Sequence, residues 1–182
     1  MSNNLKETIS NLQKNFTDNP ESAVVQYKST SILKEGLQSH VQLRDHNLTV
    51  DEPTSFGGKD EGPSPVELIL AALATCQEIT YKAFATALGI KIDSVGVELN
   101  GTLDLQGFLA LNKDIRPGFQ SITGNVDIKS SSPQVDIDKL IAAVNEHCPV
   151  LDILTKGVPV KLTQKLSISI PAEKTEQRAS VA

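Results

Sequence analysis

Ser64-Pro65-Val66-Glu67-Leu68-Ile69-Leu70-Ala71-Ala72-Leu73-Ala74-Thr75-Cys76 opens the best-marked helix in this chain. Ser64 suits the N-cap, where a side-chain oxygen can accept from the free N–H groups of the first turn. Pro65 suits the first helical position, since its missing N–H has no partner to lose there. Glu67 stands three residues after Ser64 and completes a capping box. Gly89, directly after Leu88, supplies the C-terminal stop. From Val66 to Cys76 nearly every residue is apolar, which predicts burial on all sides and a central place in the fold.

Outward from this helix the chain alternates between strand and helix signals. Residues 95–105 and 121–129 alternate in strand fashion and read as a hairpin, joined by a long segment containing Asn112 to Gly118. A second long helix is predicted from near Asp136, a plausible N-cap, with Leu140, Ile141 and Val144 on one face. Pro149 should break it at Cys148, because proline removes a helical hydrogen bond. A short helix over 150–156 then leads through Gly157 into a last strand over 158–170. Upstream, residues 51–65 are turn-rich, and residues 23–32, 41–44 and 48–50 read as an antiparallel meander. Leu5, Ile9, Leu12 and Phe16 recur at helical spacing, so residues 3–18 form an amphipathic helix that must dock on something. Runs of strands separated by two long helices give an α+β fold. The expected organisation is a helical extension over 1–20, one domain over 21–170 and a polar tail over 171–182, expected to be disordered.

Composition narrows the function classes. A net charge of −5 without a basic block argues against nucleic acid as a partner. No apolar stretch reaches the roughly 20 residues that span a bilayer, and Met1 to Lys6 lacks the basic start and apolar run of a signal peptide. The cytoplasm is the expected location, and no membrane association is expected. There is no glycine-rich phosphate loop, no Gly-x-Ser-x-Gly elbow and no metal-ligand cluster, so neither cofactor nor metal is expected. The acidic stretch 51–61 lacks the alternating ligand spacing of a calcium loop and reads as a structured turn.

The chemistry rests on two cysteines. In the cytoplasm thiols stay reduced, so a cysteine pair there is more often catalytic or redox-active than structural. Cys76 has Ala72, Leu73, Ile79 and Thr80 as helical neighbours. That site fits a buried packing cysteine, or a reactive one if a cation is brought to it. Of the three arginines, Arg44 lies on a predicted strand, Arg116 in a loop and Arg178 in the tail, which makes Arg44 the candidate. Cys148 fits either the N-cap of the short helix, where the helix dipole would stabilise a thiolate, or a residue that merely tolerates the break. Seventy-two positions separate the cysteines, which excludes a Cys-x-x-Cys motif. His147 is adjacent to Cys148 but points about 100° away on a helix; His40 and His46 read as ordinary strand and turn residues, and Glu67 as a cap.

Val50-Asp51-Glu52-Pro53, Gly57-Gly58-Lys59-Asp60-Glu61-Gly62-Pro63-Ser64-Pro65-Val66-Glu67-Leu68, Ala71-Ala72-Leu73-Ala74-Thr75-Cys76 and His147-Cys148-Pro149-Val150, in this order and spacing, carry a family resemblance. Over residues 23–170 the chain resembles the OsmC/Ohr family of osmotically inducible and organic-hydroperoxide-resistance proteins, in particular a branch described as predicted redox proteins. The resemblance implies an intertwined homodimer in which curved antiparallel sheets pack on two long central helices. It implies a peroxidase cycle without metal, haem or flavin. Carried over, Cys76 attacks the organic hydroperoxide, Cys148 resolves the sulfenic acid as a disulfide, and an external dithiol or lipoyl group reduces it. Arg44 is the match offered for the arginine that activates the attacking cysteine. Two features depart from the family pattern. Val66 stands where its peroxidases carry a glutamate that holds this arginine, with Glu67 one residue further on, and the arginine itself has no unambiguous match. The functions this leaves are a thiol peroxidase, a non-catalytic protein binding a small apolar ligand or partner at the dimer groove, and a thiol redox regulator.

Overall fold

A computed structural model describes residues 2–167, with side chains from residue 5 onward. In chain order the elements are α1 (Ser2–Asp18), β1 (Thr30–Leu33), β2 (Ser39–Leu43), β3 (His46–Val50), α2 (Pro65–Leu88), β4 (Ser94–Thr102), α3 (Leu105–Phe108), β5 (Ser121–Lys129), α4 (Gln134–His147) and α5 (Pro149–Lys156). The expected polar tail over 171–182 lies outside the described residues.

Helix α2 runs over the 24 residues that the sequence marks out. The Ser64 side chain accepts from the Glu67 N–H, and the Glu67 carboxylate accepts from the Ser64 N–H at 2.7 Å. That backbone N–H, together with the Ser64 hydroxyl, holds the Glu67 carboxyl below the usual carboxylate range. Gly89 closes the other end in the left-handed region at φ 72°, which costs a glycine nothing.

β4 and β5 pair antiparallel along their whole length, Ser94 opposite Lys129 and Thr102 opposite Ser121. α2 lies against β4 and α4 against α2. The core between these layers is Tyr81, Ala85, Leu140 and Val144, with Val95 and Ile128 of the sheet and Phe84 of α2 packed at its edge. α4 begins two residues before the expected Asp136, which falls in its first turn while Pro133 takes the cap position. α1 docks on α2, as its amphipathic stripe requires.

The meander is a three-stranded antiparallel sheet in the order β1-β2-β3. Residues 23–29 belong to no strand, so β1 is shorter than its weak alternation suggests. This sheet makes no extensive contact with any helix of the same chain. It is tied on through the loop that follows Val50. There Asp51, 1% exposed, accepts from the Glu52, Lys59 and Glu61 N–H groups at 2.8, 3.0 and 3.3 Å. Gly58 and Gly62 let the backbone fold tightly around this carboxylate: a Cβ on either would collide with the carbonyl of Glu52 or of Thr49. Burial pushes the Asp51 carboxyl up, but the three N–H groups outweigh it and hold the group below the ordinary carboxylate range. A depressed folded pKa stabilises above the unfolded value, near 3.9, and is lost as pH falls through the folded one. Urea melts of the native chain should therefore show a loss of stability below about pH 4. Asp51→Asn should be less stable at pH 7 and show less of that acid dependence.

Two sequence expectations fail, for one physical reason. Residues 158–167 form no strand, and 168–170 lie outside the described residues. Strand formation needs a neighbouring edge for the backbone N–H and C=O groups, and among the described residues no strand pairs with this segment. Val158, Val160, Leu162 and Leu166 are all more than half exposed. The first half of α2 is likewise not buried all round: Leu73 is buried, whereas Val66 and Ile69 remain partly exposed. Neither apolar pattern is fully covered among the described residues.

Candidate active site

The Sγ atoms of Cys76 and Cys148 lie 3.3 Å apart. Two packing features produce this approach. Leu140 and Val144 seat α4 against Tyr81 and Ala85 of α2, which fixes where α4 ends. Pro149 then forces the break, so that Cys148 serves both helices. Its N–H donates to the Val144 carbonyl at 2.9 Å, and its own carbonyl accepts from the Asp152 N–H at 3.0 Å. Cys148 is buried and Cys76 half-buried; both are free thiols.

The N-cap reading of Cys148 is correct in position, with φ −73° and ψ 113°. Its consequence differs from the expected one. The Cys148 side chain accepts no capping hydrogen bond. Pro149 has no N–H, so the first free donor of α5 belongs to Val150, and it is directed at Cys76. Burial pushes the Cys76 thiol up, and the adjacent Cys148 sulfur adds to this; the Val150 N–H and the Thr80 hydroxyl pull it down, and burial wins. Thr80 also donates to the Cys76 carbonyl at 2.7 Å, which anchors its hydroxyl beside the residue. Sequence reasoning placed Thr80 beside Cys76 without giving it a role, and did not find the Val150 N–H. Thr80 had a readable signal, since it lies four residues beyond Cys76 on one face of a helix.

Arg44 is not brought to the pair within one chain. It occupies the turn between β2 and β3 in the left-handed region at φ 55°, and its carbonyl accepts from Gln42 Nε2 at 3.2 Å. The two-residue turn starts earlier than expected, so Arg44 is a turn residue and not a rigid strand position. Arg178 is outside the described residues. His147 stacks on Phe84, ring centroids 5.3 Å apart and planes within 7°, with Nε2 3.8 Å from the Glu146 carboxylate. His40 Nε2 bonds to Gln38 Oε1 at 3.1 Å on the distant meander.

A groove of about 540 Å³ runs between α2, the β4–β5 sheet and α5. Ile69, Leu73, Val97, Leu99, Leu151 and Leu154 give it aliphatic walls. Arg116 lies on its rim, and Gln77, next to Cys76, also lines it. Leu151, three residues beyond Cys148, lines it, and neither cysteine does.

A family model for OsmC-like proteins matches residues 58–163, more than half of the chain. The chain belongs to the OsmC family. Solved structures agree on the fold. The OsmC-like protein of Mycoplasma pneumoniae superposes with a TM-score of 0.63 at 24% identity, over 74% of this chain and 89% of that one. An organic hydroperoxide resistance protein from Legionella pneumophila, described as a predicted redox protein, gives 0.56 at 20% identity over 76% and 95%. The organic hydroperoxide resistance protein OhrB of Bacillus subtilis gives 0.50 at 22% identity over 78% and 98%. No curated protein matches. The OsmC match includes both cysteines and the whole of α2, and leaves α1 and the β1–β3 sheet outside it. Among the described residues, no helix is long and apolar enough to cross a membrane.

Proposed function

We propose that this OsmC protein is a thiol peroxidase that reduces organic hydroperoxides. The observation that carries this is the 3.3 Å approach of two free thiols 72 positions apart. Similar folds described as organic hydroperoxide resistance proteins support the substrate class. In the first step the Cys76 thiolate attacks the terminal peroxide oxygen. An S–O bond forms and the O–O bond breaks; the electron pair leaves on the alkoxide, which takes a proton from water and departs as the alcohol. Sulfur is oxidised by two electrons to the sulfenic acid. Cys148 then attacks that sulfur, the S–S bond forms and water leaves. An external dithiol, of lipoyl type or similar, reduces the disulfide by thiol–disulfide exchange. The proposal includes a cytoplasmic location, where such dithiols are kept reduced.

Cys76 is assigned the attack because it is the more accessible sulfur and the one that the Val150 N–H and Thr80 face. Its raised pKa makes the thiolate a minor species at pH 7, so peroxide consumption should rise with pH into the alkaline range. Thr80→Val removes one of the two groups that pull the pKa down. Alkylation of Cys76 by iodoacetamide should then slow at pH 7 by about threefold to tenfold, as expected for loss of one hydrogen bond to a charged group. An unchanged rate would remove Thr80 from the site.

The proposal extends to a homodimer. The β1–β3 sheet without a helical layer, the open flank of α2 and the unpaired apolar alternation over 158–166 are all satisfied by a second copy. Sedimentation at micromolar concentration should give a dimer; a stable monomer would contradict it.

The experiment that tests the function is peroxide consumption with dithiothreitol or lipoamide as reductant, comparing cumene hydroperoxide with hydrogen peroxide. A second reading, a non-catalytic binder or redox regulator, is favoured by the raised Cys76 pKa and the absence of a cation from its described surroundings. It predicts no faster consumption by the native chain than by Cys76→Ser.

A further inference from the structure

Two free thiols 3.3 Å apart, held by different helices, form a chelate as well as a redox pair. Angle, coordination number and charge decide what such a pair can hold. With a bond of about 2.3 Å to each sulfur, the length of a zinc–thiolate bond, an atom bridging this 3.3 Å gap has its two bonds about 90° apart. A linear two-coordinate ion such as copper(I) would need the sulfurs about 4.6 Å apart at the same bond length. Tetrahedral zinc needs two further ligands, and among the described residues no third His, Cys, Asp or Glu completes a metal site with the pair. Burial bears on the charge. Cys148 is 1% exposed and Cys76 half-buried. A metal cation requires both thiols to give their protons to water, which burial opposes at Cys76. The atom that fits is pyramidal, brings its third substituent with it, and leaves both sulfurs uncharged.

We propose that the reduced Cys76–Cys148 pair is a binding site for monosubstituted trivalent arsenicals. Trivalent arsenic is pyramidal, with bond angles near a right angle, and is soft enough to prefer sulfur to oxygen. An alkyl- or arylarsonous acid carries its own carbon substituent and two exchangeable hydroxyls. Cys76, the more accessible sulfur, reacts first. An S–As bond forms, an As–O bond breaks, and the hydroxyl leaves as water with the thiol proton. Cys148 stands 3.3 Å from that sulfur and repeats the exchange. Two As–S bonds replace two As–O bonds and two waters depart. Arsenic stays trivalent, neither sulfur is oxidised, and no proton is released. The adduct is uncharged, so the burial that disfavours a thiolate does not oppose it. The second bond closes within one molecule, which raises affinity over a single-thiol adduct by about a hundredfold to ten-thousandfold. Because both sulfurs are taken up, one equivalent also prevents oxidation of the pair. The inference needs only the geometry of the reduced thiols and does not rest on the peroxidase reading.

The test adds phenylarsine oxide, which hydrates to the arsonous acid, to the reduced chain and reads the intact mass under denaturing conditions. The expected result is one adduct per chain that survives excess 2-mercaptoethanol and is removed by 2,3-dimercaptopropanol. Zinc at the same concentration should not compete with it. Cys76→Ser and Cys148→Ser each allow a single S–As bond, so 2-mercaptoethanol should strip the adduct and the apparent affinity should fall by about a hundredfold or more. Should a variant fail to fold, the native chain oxidised with diamide makes the same comparison, since a disulfide offers no thiol and its mass should not rise. No adduct on the reduced native chain overturns the inference. So does an adduct that 2-mercaptoethanol removes as readily from the native chain as from the variants, uptake by the oxidised chain, or an arsenic bridge between two chains seen as a doubled mass. Uptake by a chain that consumes no peroxide would support the chelate and defeat the peroxidase reading. Peroxide consumption without uptake would do the reverse.

Discussion

Cys76→Ser should reduce consumption of organic hydroperoxides to the uncatalysed background, and Cys148→Ser should consume one equivalent per chain and then stop. A serine hydroxyl is almost wholly protonated at neutral pH and has no base within reach at this position, so it cannot replace the thiolate as nucleophile. The Cys148 variant differs because its chemistry fails only at the second step. Cys76 is oxidised once, and its sulfenic acid persists until trapped by dimedone or an added thiol. In the native chain the same intermediate should escape the trap, since the second sulfur stands only 3.3 Å away. Closing from there to the roughly 2.05 Å of a disulfide asks for little backbone movement. Mass spectrometry after one equivalent of cumene hydroperoxide reads all three states: a two-proton loss in the native chain, a dimedone adduct in Cys148→Ser, and no change in Cys76→Ser. A dimedone adduct on Cys148 in the Cys76 variant would reverse the assigned roles. Turnover surviving in Cys76→Ser would end the proposal.

Local chemistry explains which parts of this molecule are readable in advance. α2 is legible to the residue because Ser64, Pro65, Glu67 and Gly89 encode both ends within a few positions of each. The junction at Cys148 is legible for the same reason: Pro149 breaks one helix and begins the next wherever it stands. What fails depends on surfaces distant in sequence. The apolar alternation over 158–167 is a strand signal, but among the described residues no strand pairs with it. Val66 and Ile69 read as core because they are apolar, yet both stay partly exposed among the described residues. The neighbours of Arg44 place it on a strand, whereas a two-residue turn claims it. The dipole argument finds the correct helix and the wrong sulfur. Sequence locates an N-terminus but not what lies opposite its first free N–H, and in this fold that is Cys76.

Leu140→Ala should destabilise the fold strongly and loosen the thiol pair with it. The side chain is fully buried, between Tyr81 and Ala85 of α2 and Val144 one turn along its own helix. Removing it leaves a cavity among close-packed neighbours, at a cost of about 2–5 kcal/mol. A single domain has only about 5–15 kcal/mol to lose, so the urea midpoint should fall sharply. The functional consequence is more specific than instability. Leu140 helps set the register of α4 on α2, and α4 ends at Cys148, so the sulfur-to-sulfur distance depends on this contact. Cys76 sits on α2 and keeps Thr80 beside it, whereas the Val150 N–H and the Cys148 sulfur shift with the end of α4. In the folded variant below its melting point, disulfide closure should slow by more than the first oxidation of Cys76. Dimedone, excluded from the native chain, should then capture part of the sulfenic acid. If Leu140→Ala lowers the midpoint yet closes the disulfide as fast as the native chain, the contact stabilises the fold without aligning the thiols. The junction at Pro149 would then be what holds Cys148 against Cys76.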